Sequence, residues 1–421
     1  MNEPLPAILG GRPTVRSLVK DKRRITSWRD AARIGRLLLQ DCNTQPGGGG
    51  AIGSLEADFK RFFGVNQTLL FNSGTSALHA AYHAVGVGPE TEVIVPGYTF
   101  PASATPVALC GGHVKFCDID PDTLTLDPAS LADCISPRTK AVCAVHVWGN
   151  PADMDPILEI CAPKGIAVIE DASHSPGAMY KGRKVGTMGA IGCFSLQGRK
   201  AVTGGELGVA VTESRDLWER MLAVGFFGRT GGEIRNPKNS VDGFSLGAKY
   251  RPHLFAAVLA SSSLKRLPDL NASRALRWQW LQEELSGLQC VSPTQTLPDS
   301  VRGGFLEYVF RFFPEKAGGL PVGSFVQALC AEGAPVYVDR YTRLGNRRSV
   351  IAESVLFSQE GERPSIDPLP GCRSVRDGLF AMPALTHNSE SEVRSIGRAI
   401  KKVASWAERE ASLAAPGGGR G

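Results

Sequence analysis

The chain has 421 residues, 43% of them hydrophobic and 21% charged, a balance that excludes disorder and predicts a globular protein with enough core for two domains. A net charge of +6 is too mild for a nucleic-acid footprint, and no apolar run approaches the length of a membrane span. Ten scattered cysteines, with no CxxC and no Cys/His cluster of zinc spacing, argue for free thiols in the cytoplasm over a disulfide scaffold or a metal site.

The opening MNEPLPAILGG lacks the charged start and long apolar segment of a signal peptide. The densest basic cluster, Lys20 to Arg24, reads as a solvated face. From Trp28 the run ARIGRLLLQ predicts a helix, and Pro46 to Gly50 breaks it as a flexible loop. Ser54 is positioned to cap the following helix, with Leu55, Phe59, Phe62 and Phe63 on its apolar side and Gly64 ending it.

From residue 68 strands and helices alternate. Strands are predicted at 68–71, 93–95, 114–117, 141–147, 166–170 and 207–212, with helices at 77–85, 102–109 and 218–224. Repeated βα units imply a largely parallel sheet between helices, whose ligands gather at the carboxyl ends of the strands. Gly225 to Ser245 is predicted to be a long functional loop, and His253 to Leu267 a helix stopped by Pro268. Beyond residue 270 the texture is that of a smaller α+β domain. A helix is predicted at 272–288, a strand at 308–313, a helix at 325–332 and an irregular stretch at 343–376. A last helix begins at a capping box, Ser389 with Glu392, and the final AAPGGGRG is an expected disordered tail. The expected division is 1–50 as an arm and helix, 51–270 as the large domain, 271–413 as the small domain and 414–421 as the tail.

Four strand ends carry chemistry. Asn72-Ser73-Gly74-Thr75 turns from a strand into a helix whose first amides, with the Ser and Thr hydroxyls, suit an anion; plain helix capping reads as well. Pro96 to Phe100 sets an aromatic at a sheet end, where it stacks on a flat ring or simply covers the sheet. Asp171 closes the apolar strand 166–170, either as a helix cap or as the partner of a protonated ring nitrogen. The stretch GAIGCFSLQGRKAVTGGELG holds Lys200 among glycines, with Ser195 and Gln197 on one face of the strand before it. An amine just past a strand end, on a backbone a ligand can approach closely, is what Schiff-base chemistry requires. Phosphate cradle, ring stacker, acid and amine together compose a site for pyridoxal phosphate (PLP) on Lys200.

The segments NSGTSALHAA, EVIVPGYTF, FCDIDPDTLTLDP, HVWGNPADMDPI, VIEDASHSPGA and GCFSLQGRK resemble the PLP-dependent sugar and aminocyclitol aminotransferases of the DegT type, from about residue 55 to 270 and more weakly beyond. The opening LPAILGGRPTVR is similar to members that aminate keto-inositols or make aminohydroxybenzoate. The resemblance implies a fold-type I α/β architecture with a mainly parallel seven-stranded sheet and a smaller C-terminal domain. It assigns the cofactor lysine to Lys200, the ring-nitrogen partner to Asp171 and the ring stacker to Phe100. Gly74 and Thr75, beside Ser195 and Gln197, become the phosphate cradle, and His174 lies by the cofactor's 3-hydroxyl. Arg251 is expected to reach the neighbouring subunit's site in a homodimer with shared active sites. Tyr341 and His387 are expected to line the acceptor pocket.

The implied reaction moves an amino group from L-glutamine or L-glutamate to a keto-sugar or keto-cyclitol, in amino-sugar, aminocyclitol or antibiotic biosynthesis. Two departures stand out: Gly205-Glu206-Leu207-Gly208 where relatives read GEGG, and Lys249 and Arg251 in a segment where many relatives carry Asn. The rivals are a PLP-dependent sugar dehydratase, whose relatives replace the lysine with histidine, an aminohydroxybenzoate-synthase-like enzyme, and a non-catalytic relative. A rival from another class, a nucleotide-binding protein with a P-loop, fits poorly, because Gly192 and Gly198 flank five residues and no Lys-Ser/Thr follows; tight ATP binding without a PLP spectrum would favour it.

Overall fold

The computed structural model describes residues 5–16, 26–40, 42, 44–239, 246–341 and 369–414. The basic cluster 20–24, most of the stretch 343–376, the end of the 225–245 loop and residues 415–421 lie outside the described residues.

Seven strands form the central sheet: β1 (Gln67–Phe71), β2 (Glu92–Pro96), β3 (His113–Cys117), β4 (Thr139–Val145), β5 (Ala167–Asp171), β6 (Ile191–Ser195) and β7 (Gly208–Thr212). Their order is β1-β7-β6-β5-β4-β2-β3, and only β7 pairs antiparallel to its neighbours. Side chains alternate between the faces. Val93, Val95, Ala141, Cys143 and Ile169 share one core with the helix Gly74–Ala84, while Ile94, Val142, Ala144 and Val168 enter another. Because both faces are covered, these strands read as near-continuous apolar runs, which is why they were visible in the sequence.

A second sheet lies C-terminal: β8 (Val291–Pro293), β9 (Glu307–Phe312), β10 (Tyr337–Val338) and β11 (Leu379–Pro383), ordered β8-β9-β11-β10. It packs with the last helix, Glu390–Ala414, through Val393, Ile396, Ile400 and Val403, all fully buried. Ser389 caps that helix as expected: its hydroxyl accepts from Glu392 N at 3.4 Å and its amide donates to Glu392 Oε2 at 2.9 Å. The N-terminal arm crosses to this unit, where the buried Glu332 carboxylate accepts Ala7 N at 2.7 Å, Thr14 N at 2.8 Å and Lys402 Nζ at 2.8 Å.

Three local expectations are corrected. The second helix starts at Gly50 with Gly49 as its cap, and Ser54 sits one turn inside, donating to Gly50 O at 2.8 Å. The glycine run is thus partly helical, since packing of Ile52, Leu55 and Phe59 outweighs its low propensity. Pro268 does not merely stop a helix; it occupies the first turn of the next, Leu267–Leu285, where a missing amide costs nothing. The 225–245 loop holds a helical turn, Thr230–Glu233, drawn in by Arg229, which binds both Glu233 and the buried Glu56.

Candidate active site

The carboxyl ends of β2, β4, β5 and β6 and the start of the Gly74–Ala84 helix converge on a cavity of about 480 Å³. Gly74, Thr75, Phe100, Asp171, His174, Ser195, Gln197, Lys200 and Tyr341 all line it. Arg251 and His387 do not. Arg251 follows Tyr250, whose carbonyl accepts Asn72 N at 2.9 Å beside the β1 turn. His387 is exposed on the loop between β11 and the last helix, so this chain does not bring it to its own cavity.

Asp171 is held from behind. Ser103 Oγ donates to Asp171 Oδ2 at 2.7 Å, Ser173 N donates to Oδ1 at 3.1 Å, and Thr99 Oγ1 lies 2.9 Å from Ser103 Oγ. Next to it, the fully buried Glu170 accepts from His146 Nε2 at 3.1 Å and from the amides of Gly186, Met188 and Gly189, each at 2.6 Å. Burial alone would raise the Glu170 carboxyl, but this donor set carries the net shift downward. His146 N also donates to Asp171 O at 3.0 Å, so the strand end is anchored on both sides.

The anion cradle depends on close backbone approach. A side chain on Gly208 would overlap the Ser73 carbonyl, and a Cβ on Gly74 would stand 2.8 Å from Ser195 Cβ. Ser73 Oγ accepts Ser76 N at 3.0 Å, and the amides before it, at Gly74 and Thr75, have no partner inside the helix. Leu207, the departure from the glycine pattern, is fully buried among Leu196, Val202 and Leu254. The positions here that need glycine are 204, 205 and 208: close approach to the Ala256 backbone, a φ of 91°, and the Ser73 contact.

His174 is fixed as a donor. Trp148 N donates to His174 Nδ1 at 3.2 Å, leaving the proton on Nε2, which lies 3.3 Å from Tyr341 Oη. Burial, joined by the Lys200 and Arg340 charges, holds the imidazole well below its ordinary pKa, so it is neutral. Trp148 achieves this in a left-handed conformation (φ 54°), with its ring nitrogen donating to Tyr98 Oη at 2.9 Å and its ring 4.5 Å from that of Tyr341.

Lys200 sits in a turn closed by Lys200 N donating to Gln197 O at 2.8 Å. The Gln197 side-chain oxygen accepts Arg199 N at 2.9 Å, which leaves its amide nitrogen as the donor. Burial lowers the Lys200 amine to about 8, against the pull of Asp171 and Glu307, with Arg199 and Arg340 adding to the fall. An amine poised there is deprotonated far more readily than a surface lysine.

Ser103, Trp148, Arg199, Arg340 and Glu307 were not singled out from the sequence. The last three form a cluster at the mouth: fully buried Glu307 pairs with Arg340 and, at 3.4 Å, with Arg199. The donor set suits PLP: an anion cradle at one end, a strand-end carboxylate at the other, a neutral histidine donor at the side and one lysine amine in the wall. Lys200 would hold the aldehyde carbon, Asp171 the ring nitrogen, and Gly74, Thr75, Ser195 and Gln197 the phosphate.

Residues 38–336 match the DegT/DnrJ/EryC1/StrS aminotransferase family. The chain is 32% identical over 364 residues to an L-glutamine:2-deoxy-scyllo-inosose aminotransferase of Streptoalloteichus tenebrarius, covering 82% of this chain and 84% of that one. It is 38% identical over 233 residues to a GDP-perosamine synthase of Caulobacter vibrioides, covering 55% of this chain and 61% of that enzyme's length. The crystal structure of a 3-amino-5-hydroxybenzoic acid synthase superposes with a TM-score of 0.80 at 26% identity, covering 93% of this chain and all of that one.

Proposed function

This chain belongs to the DegT/DnrJ/EryC1/StrS aminotransferase family, and we propose that it is a PLP-dependent enzyme moving an amino group from L-glutamine or L-glutamate to the ketone of a cyclitol or sugar. The observation that carries the reading is Lys200, the single cavity-lining lysine among the described residues, sharing one cavity with the buried carboxylate of Asp171 and the anion cradle at Gly74 and Thr75.

Bound PLP supplies an electron sink for breaking the Cα–H bond of the donor. Asp171 keeps the ring nitrogen protonated while that charge develops. Lys200 Nζ, the amine in the cavity wall, would take the proton from the donor's Cα and deliver one to the carbon that becomes the product amine. His174 donates from Nε2, and Phe100 and Tyr341 cover the ring and exclude water. The amino donor leaves as a 2-oxo acid and the acceptor ketone leaves as an amine, so the exchange balances without another reactant.

The reading extends to a cytoplasmic homodimer in which Arg251 reaches the other subunit's site; the ten free cysteines support the reducing compartment. The presence of Lys200 disfavours the dehydratase alternative. Incubating the PLP-loaded protein with L-glutamine and a panel of keto-cyclitols, nucleotide-linked keto-sugars and free keto-sugars tests the proposal by product mass. An amine product supports it, whereas a keto-deoxysugar without any amine product contradicts it.

A further inference from the structure

We propose that Arg340 receives the α-carboxylate of the amino donor, with Glu307 as the positioning residue that aims its guanidinium at the cavity. The proposal rests on the aminotransferase reading and adds the donor subsite. An α-amino acid carries its carboxylate on the same carbon as the amine it gives up. That amine must arrive where Lys200 Nζ stands, so the carboxylate lands within a few ångströms of the same point and needs a cation there.

Among the described residues the cations lining the cavity are Arg199, Lys200 and Arg340. Lys200 is committed to the chemistry. Arg199 belongs to the turn before it and pairs with Glu307 only at 3.4 Å; exposure does not separate the two arginines, at 55% for Arg199 and 46% for Arg340. Arg340 directly precedes Tyr341, whose hydroxyl meets His174 Nε2 and whose ring lies against Trp148 on the inner wall. The Arg340 charge acts on Lys200, His174 and Tyr341 alike, three groups that surround the reacting position.

Glu307 fixes the arrangement from β9. Its carboxylate is fully buried, pairs through Oε1 with Nη2 of Arg340, and leaves Oε2 without a hydrogen-bond partner among the described residues. Only Nη2 of Arg340 is engaged among the described residues, so the rest of the planar fork is available to a second carboxylate. This pairing also suits a cavity that serves two substrates in turn. With a neutral polyol ketone bound, the buried Glu307 carboxylate keeps its pairs with Arg340 and Arg199, whose side chains reach solvent, so no uncompensated charge is buried.

The test compares wild type, Arg340→Gln, Arg340→Lys and Arg199→Gln, all PLP-loaded. Arg340→Gln should raise KM for L-glutamine about 100-fold in the donor half-reaction while changing the ketone half-reaction less than about threefold. Arg340→Lys should recover part of the loss. Glutamine α-amide, which lacks the carboxylate, should react equally with wild type and Arg340→Gln. Calorimetric titration with glutarate, which needs no turnover, should show binding to wild type that Arg340→Gln loses. Unchanged glutarate binding in Arg340→Gln, an equal loss with the α-amide, or a loss that follows Arg199→Gln instead would overturn the proposal. If wild type binds glutarate through Arg340 yet converts no amino donor, it is the aminotransferase reading that fails.

Discussion

Ser103 Oγ donates to Asp171 Oδ2 at 2.7 Å, from a hydroxyl that is itself buried and paired with Thr99. The carboxylate that ends β5 is therefore oriented by a residue from a different loop, the one following β2. Removing the hydroxyl with Ser103→Ala leaves a buried charged acceptor one donor short. The expected cost is about 1–3 kcal/mol of stability, with looser PLP retention; Ser103→Thr, which keeps the hydroxyl, should recover most of both. Urea unfolding and a PLP titration measure the pair of effects.

Lys200 makes a prediction about pH. Its amine is lowered to about 8, mainly by burial, so in the apoprotein its reaction with added PLP should rise with pH and level off above about 8. The sign also bears on stability. Between the folded value and the ordinary lysine value the unfolded chain binds more protons, so the apoprotein should gain stability as pH rises from about 8 toward 10. The Lys200→Met variant should lack both effects; a midpoint near that of a free lysine would contradict the burial argument.

His174 should not titrate through the physiological range. With Nδ1 accepting from Trp148 N and the ring buried, nitrogen NMR should find the Nε2–H tautomer unchanged between about pH 5 and 8. A midpoint near the ordinary imidazole value would show that the Trp148 contact does not hold the ring.

Gly208 and Leu207 are adjacent and should respond in opposite ways. Gly208→Ala forces a methyl against the Ser73 carbonyl, costs about 1–3 kcal/mol and weakens PLP binding by distorting the cradle. Leu207→Ala empties a fully buried site, costs about 2–5 kcal/mol and leaves the Ser73–Gly208 approach intact. Thermal unfolding with and without PLP separates the two, since only Gly208→Ala should shrink the stabilisation PLP confers.

The strand ends were legible because the inner strands β2, β4, β5 and β6 are short, mostly apolar runs buried on both faces, and chemistry gathers where such a run breaks at its carboxyl end. Asp171 breaks its run directly, and Thr75 and Lys200 follow within a few residues of the ends of β1 and β6. Ser103 and Trp148 were not legible, because their roles are hydrogen bonds to residues 68 and 26 positions away. Arg340 and Glu307 were hidden for a further reason. Glu307 opens the β9 run as an ordinary charge, and only pairing with β11 turns it inward beside a cavity built by the other sheet. Ser54 and Pro268 were misread where a local signal competed with packing: apolar residues upstream of Ser54 extended one helix, and the proline suited a first turn as well as a stop.

The central claim is that Lys200 carries the cofactor. Borohydride reduction of the PLP-loaded protein, followed by proteolysis and mass spectrometry, tests it most directly. The account predicts a pyridoxyl phosphate adduct on the peptide containing Lys200, absent from Lys200→Ala together with the visible absorption band. An adduct on another lysine, or an unchanged spectrum in Lys200→Ala, would contradict it.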